Sequence, residues 1–234
     1  MSYIVTQENI LSIPADAAVV SLQQTMGYCG EPVSHSLSEA GGDVLRGAVR
    51  QLRFLPVGSA RAVDVPALPF QKIILAVPPR YLTGKANELL ILQRLYEEIY
   101  AAAESADCRS LAMPFLSAWY YRFPAAEAVH IALQSAGKHS METVFIADAE
   151  LAALAKVPYH RPQITAYVGW YRSHAYFSLD NGLYARVDLR PELREVSVIP
   201  YIEPCCRLGN NPLQEPLSEQ EISRLRRIYE EAEG

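Results

Sequence analysis

Asp16-Ala17-Ala18-Val19-Val20-Ser21-Leu22-Gln23 is an almost unbroken apolar run of strand length between two polar residues. A strand with one wet face alternates apolar and polar residues, whereas a run without alternation belongs inside a sheet covered on both sides. Working outward, Lys72-Ile73-Ile74-Leu75-Ala76-Val77 repeats the pattern and is ended by Pro78-Pro79. Arg109-Ser110-Leu111-Ala112-Met113 repeats it again and is stopped by Pro114. Ile4-Val5 opens a first strand, and Thr143-Val144-Phe145-Ile146-Ala147 is the last of the series.

Helical spacing fills the gaps between these strands. Ser34 to Leu55 carries Val44, Leu45, Ala48, Val49 and Leu52 three and four residues apart. Glu88 to Glu104 carries Leu89, Leu92, Leu95, Tyr96, Ile99 and Ala103 on one face. Pro124 stands where a proline suits the first turn of a helix running to about Ala136, and Glu150 to Lys156 is a short helix. Such alternation predicts an α/β fold of three layers, α/β/α, with a mostly parallel central sheet.

The texture changes at Val157-Pro158-Tyr159-His160-Arg161-Pro162, where two prolines disfavour regular structure. The expected organisation is therefore 1–157 and 158–234. Beyond the joint the period becomes two. Ala175 to Leu179, then Asp180-Asn181-Gly182, then Leu183 to Val187 reads as a hairpin whose Asn-Gly supplies positive φ angles. Glu195 to Tyr201 reads as a further strand. Ser218 and Glu221 form a capping box, with Leu217 and Ile222 placed to staple it, ahead of a helix bearing Ile222, Leu225, Ile228 and Tyr229. This small α+β region of hairpin and helix is marginal on its own and is expected to pack on the first domain.

Half of the residues are hydrophobic and 20% are charged, the profile of a globular chain. A net charge of −5 argues against nucleic acid as a general partner. The tail holds Tyr159, Tyr167, Trp170, Tyr171, Tyr176, Phe177, Tyr184 and Tyr201 beside Arg172 and Arg186. Strand residues filling a small core account for them better than a nucleic-acid stacking face does. No apolar run approaches the ~20 residues of a membrane span, and no signal-peptide pattern opens the chain. Cys29, Cys108, Cys205 and Cys206 lack disulfide or zinc-ligand spacing. These features predict a cytoplasmic protein with no membrane partner, no metal and no cofactor.

Five stretches, in order, resemble the macro domain, the α/β module that binds ADP-ribose. Asp16 to Gln23 is similar to its D-A-I-V-N-A-A-N strand. Cys29-Gly30-Glu31-Pro32-Val33 with the helix behind it resembles its glycine-rich loop. Gly58-Ser59-Ala60 resembles its G-E-A turn, and Ile74 to Tyr81 its I-H-x-V-G-P-x-W segment. Ser110 to Pro124 is similar to S-I-A-F-P-x-I-S-T-G-x-Y-G-F-P, keeping proline, serine, tyrosine and the closing Phe-Pro at their spacing. The tail resembles no family.

The resemblance implies a ligand at the carboxyl ends of neighbouring strands, with diphosphate over helix N-termini. It places Asn9, Ile10, Gln23, Gly30 and Val33 at one side of the ligand. Ser117, Ala118, Trp119, Tyr120, Tyr121, Arg122 and Phe123 lie at the other. Departures from the family pattern fall in these same places. Asn9 stands where the family has an acid that contacts adenine, and Gln23 where it has the ribose-orienting asparagine. Glu31 and Pro32 replace glycines, putting an anion and a missing N–H beside a diphosphate. Ser34 stands where hydrolase members have an aspartate, and Trp119 and Arg122 replace glycines in the second loop. Trp119 would obstruct the channel or stack on a ligand, and Arg122 would restore lost donors. Gln23 has a second reading, that it ends its strand by bonding the loop.

Three functions follow from this pattern. The first is binding of an ADP-ribose-type small molecule or an ADP-ribosylated protein. The second is hydrolysis of ADP-ribosyl esters or O-acetyl-ADP-ribose, which the absence of asparagine at 23 and aspartate at 34 argues against. No base–nucleophile pair is found among the five histidines, so no catalytic residue is assigned. The third is an interaction protein whose pocket no longer takes a small molecule.

Overall fold

The computed structural model describes residues 3–81, 88–118, 123–160, 162–171, 174–188, 196–199 and 218–231. The chain divides into two compact units, the first reaching Tyr159 and the second starting at His160.

In the first unit the elements are β1 (Tyr3–Thr6), β2 (Ala17–Ser21), α1 (Pro32–Leu52), β3 (Ala60–Val63), β4 (Lys72–Ala76), α2 (Glu88–Glu104), β5 (Ser110–Pro114), α3 (Ala125–Lys138), β6 (Glu142–Ile146) and α4 (Ala149–Leu154). They form one six-stranded sheet in the order β1-β6-β5-β2-β4-β3. Every pairing is parallel except β3 with β4. The short β3 was not legible as a strand, because an edge strand of four residues carries too little apolar pattern to stand out.

The unbroken run of β2 has the predicted consequence: all five residues are buried. Ala17 and Val19 point to a core built with Leu92, Leu95, Tyr96 and Ile99 of α2 and Val129 and Ala132 of α3. Ala18 and Val20 point the other way, to Val33, Leu37, Leu45 and Val49 of α1. One strand thus feeds two cores, and three layers result. At the opposite end from the strands' carboxyl termini, Asp16 clamps three strands together. Its carboxylate accepts the N–H groups of Arg109 at 2.7 Å and Ser110 at 3.1 Å and the Gln71 amide at 3.2 Å.

Helix boundaries differ from the sequence reading where backbone geometry decides them. α1 begins at Pro32, two residues earlier than expected, because proline is suited to the first helical position. It ends at Leu52, since Arg53 turns to positive φ, and it is kinked at Gly42, whose φ of 50° only glycine adopts without strain. Pro124 is the residue before α3 rather than in its first turn: its φ is helical but its ψ of 112° is extended.

The second unit is an antiparallel sheet in the order β10-β9-β8-β7 with helix α5. The strands are β7 (Ile164–Tyr171), β8 (His174–Leu179), β9 (Tyr184–Asp188) and β10 (Val196–Ile199), and α5 is Glu219–Glu231. β7 was not foreseen. Its inner residues are interrupted by two register shifts, so the alternation that marks a half-buried strand is broken. The hairpin is present, with Asp180-Asn181-Gly182 as its loop, but Gly182 alone of Asn181 and Gly182 has positive φ, at 80°. Asn181 instead accepts the Leu183 N–H with its side chain. Ala175, Phe177, Leu179, Ala185 and Val187 pack on Ile222, Leu225 and Tyr229. The capping box forms as expected, Ser218 N–H donating to Glu221 at 2.8 Å and Glu221 N–H to the Ser218 hydroxyl at 3.3 Å. Leu217, Arg172, Tyr201, Cys205 and Cys206 lie outside the described residues. Among the described residues no helix is long and apolar enough to cross a membrane.

Candidate functional site

Parallel strands present their carboxyl ends on one edge of the sheet, and β2, β4 and β5 are neighbours there. The loops leaving those three strands define the candidate site.

The loop after β2 is closed by its own backbone. Leu22 N–H donates to Ala76 of β4 at 2.7 Å, and Cys29 N–H returns to Ser21 at 2.9 Å. Between them Gln23 N–H donates to Gly27, and Met26, at a φ of 64°, donates to Gln23. The Gln23 side chain joins in: its amide N–H donates to the Tyr28 carbonyl at 3.3 Å and its oxygen accepts from Thr25. Gln23 therefore does hold its own loop, the second of the two roles anticipated for it.

Beyond Cys29, which is buried, Gly30 is exposed and Glu31 is buried. Glu31 is the residue before α1 and has extended backbone, but its side chain does not cap the helix. Its carboxylate instead accepts the hydroxyl of Ser34, and the Ser34 oxygen accepts the backbone N–H of Ser21 at 2.8 Å. This chain ties the first turn of α1 to the end of β2. Burial pushes the Glu31 carboxyl above its ordinary range, against the hydroxyl donors Ser34 and Ser21 and its own N–H, which lower it. Val33 is a core residue packed with Leu37.

The loop after β5 is anchored from both neighbours. Leu116 N–H donates to the Tyr96 hydroxyl of α2 at 2.9 Å, and the Ser117 hydroxyl donates to the Pro79 carbonyl at 3.1 Å. Ser117 has a φ of 65°, a conformation uncommon for a residue with a side chain. Ala118 follows, half-buried, and Phe123 closes the loop with its ring 5.0 Å from that of Tyr81. Trp119, Tyr120, Tyr121 and Arg122 lie outside the described residues.

On the amino-terminal side, Asn9 accepts the Leu11 N–H at 3.0 Å and so caps the short turn Ile10–Ser12. Ile10 is buried in the α1-side core. The sequence reading did not find the anchoring roles of Tyr96, Pro79 and Ser21. The one available signal was Tyr96 on the apolar face of a helix, where a buried hydroxyl requires a partner.

Each of the five histidines has a partner within its own unit. His35 pairs with Glu39 at 3.3 Å on the exposed side of α1. His139 contacts Glu97 at 2.9 Å and stacks on Tyr100, whereas His130 stacks on Tyr159. In the second unit His160 meets Asp180 and His174 meets Asp188. Among the described residues no group of three metal-ligating side chains is assembled.

Comparison with known proteins agrees with this geometry. Residues 20–132 match the Macro domain family, and the tail is outside that match. A macro domain-containing protein of Mesorhizobium japonicum is 33% identical over 116 residues, spanning 50% of this chain and 66% of that protein. A Fusobacterium nucleatum protein described as uncharacterized is 32% identical over 130 residues, 56% of this chain and 74% of its own length. Among solved structures, the Oceanobacillus iheyensis macrodomain with ADP superposes with a TM-score of 0.59 at 19% identity, covering 65% of this chain and 86% of that one. With this match lying on a mostly parallel sheet packed on both faces, the first unit of the chain belongs to the macro-domain family.

Proposed function

We propose that the first unit binds ADP-ribose or a related nucleoside diphosphate, free or attached to a protein. The observation that carries this reading is the pair of braced loops on one sheet edge. The Gln23–Gly30 loop leads into the amino terminus of α1, where backbone N–H groups and the helix dipole favour an anion. The Ser117 loop faces the same edge from β5, fixed through Pro79 and Tyr96. Backbone fixed in this way at Gln23–Gly30 and at Leu116–Ser117 lowers the ordering cost of binding. The likeness to a macrodomain crystallised with ADP supports the same ligand class.

Isothermal calorimetry with ADP-ribose tests the reading. Saturable binding is expected, and no heat at millimolar ligand would refute it. Ester hydrolysis has less support: the Ser34 hydroxyl is fully buried and engaged with both Glu31 and Ser21.

A further inference from the structure

A buried carboxylate sits at the point where this edge is most suited to an anion. Glu31 immediately precedes α1, Pro32 removes one of that helix's first N–H donors, and the Glu31 side chain is enclosed against Ser34. A charged carboxylate and a ligand diphosphate would then share one low-dielectric corner, and their repulsion is strongest where water is excluded. Two negative groups in such a place do not both stay ionised; the acid takes up a proton.

We propose that Glu31 is the residue that sets which ligands this site admits, binding of a diphosphate being coupled to uptake of one proton by its carboxylate. This rests on the ADP-ribose-binding reading above. The protonated acid keeps its place, because its carbonyl oxygen still accepts the Ser34 hydroxyl while its own O–H becomes a donor. Protonation thus removes one negative charge from the corner at the amino terminus of α1. Burial raises the Glu31 carboxyl's affinity for a proton, in the direction this coupling requires.

Among the described residues, the elements beside Glu31 carry the following other groups. Ser21 and Ser34 are neutral. Cys29, in the same loop, is buried. His35, on the first turn of α1, is exposed and turned to Glu39, and Arg80, beyond β4, is exposed. The ADP-ribose diphosphate itself keeps its charge throughout the range used below.

The test is calorimetric titration of the full chain with ADP-ribose from about pH 5.5 to about pH 8, in buffers of differing ionisation enthalpy, for wild type and Glu31→Gln. Wild-type affinity is expected to fall by up to about tenfold per pH unit as pH rises, with close to one proton taken up per ligand. Glu31→Gln, which keeps an acceptor for Ser34, is expected to bind with no such slope and more tightly at the high end. Wild-type binding with no proton uptake, or an equal slope in both proteins, would overturn the proposal and leave the binding reading intact. Absence of binding at every pH in both proteins would overturn the binding reading and this proposal with it. Should Glu31→Gln fold poorly, His35→Gln decides the matter: proton uptake is expected to persist in it, and its loss there would overturn the proposal.

Discussion

The hydroxyl oxygen of Ser34, in the first turn of α1, accepts the backbone N–H of Ser21, the last residue of β2, at 2.8 Å. Strand and helix belong to different layers, and this bond fixes how the connecting loop crosses the edge where a ligand is proposed to sit. The same hydroxyl donates to Glu31, so one side chain satisfies a buried backbone donor and a buried carboxylate together.

Ser34→Ala leaves both groups without that partner. The Ser21 N–H is orphaned, at about 1–3 kcal/mol, while Glu31 keeps the Ser21 hydroxyl as a donor. A fall in stability within that range or somewhat above it is expected by denaturant titration, with unchanged secondary structure by circular dichroism. A change below about 0.5 kcal/mol, the size of an ordinary surface substitution, would show that the network does not hold the loop.

Glu31→Gln acts in the opposite direction at neutral pH. The folded-state pKa of Glu31 lies above its unfolded value, so its favourable contribution is complete at low pH and is lost as pH rises through the folded pKa. The amide has no such loss. Relative to wild type, the variant is expected to gain melting temperature as pH is raised from the acid range to about pH 8. A difference that does not depend on pH would contradict the burial argument.

Asp16 shows the reverse sign. The Arg109 N–H, with the Ser110 hydroxyl and N–H, holds its carboxyl below the ordinary range against a smaller opposing effect of burial. Its contribution is present above the unfolded pKa and lost as pH falls through the folded one. Wild type is therefore expected to lose stability between about pH 5 and about pH 3 more steeply than Asp16→Asn. The comparison is made by denaturant midpoints across that range, and parallel curves would remove Asp16 from its role as clamp of β2, β4 and β5.

Much of the fold was legible because the informative residues are fully buried. Val19 and Val20 point to opposite cores, so β2 could not alternate, and the amphipathic spacing of Leu92, Leu95 and Tyr96 left α2 no other reading. β7 escaped because its register shifts break the period, and β3 because it is a short edge. Resemblance located the two loops, but not what holds them. Gln23 turned inward to Tyr28, Ser117 reached Pro79 and Glu31 became buried, and each outcome depends on contacts between segments distant in sequence or on loop curvature. Local pattern carries no record of either.

The ligand is expected on the edge formed by the carboxyl ends of β2 and β5. A crystal of the full chain soaked with ADP-ribose tests it most directly. The prediction is density for the diphosphate between Gly30 with the amino terminus of α1 on one side and Ser117 with Ala118 on the other. An ordered ligand bound away from both loops would contradict the account.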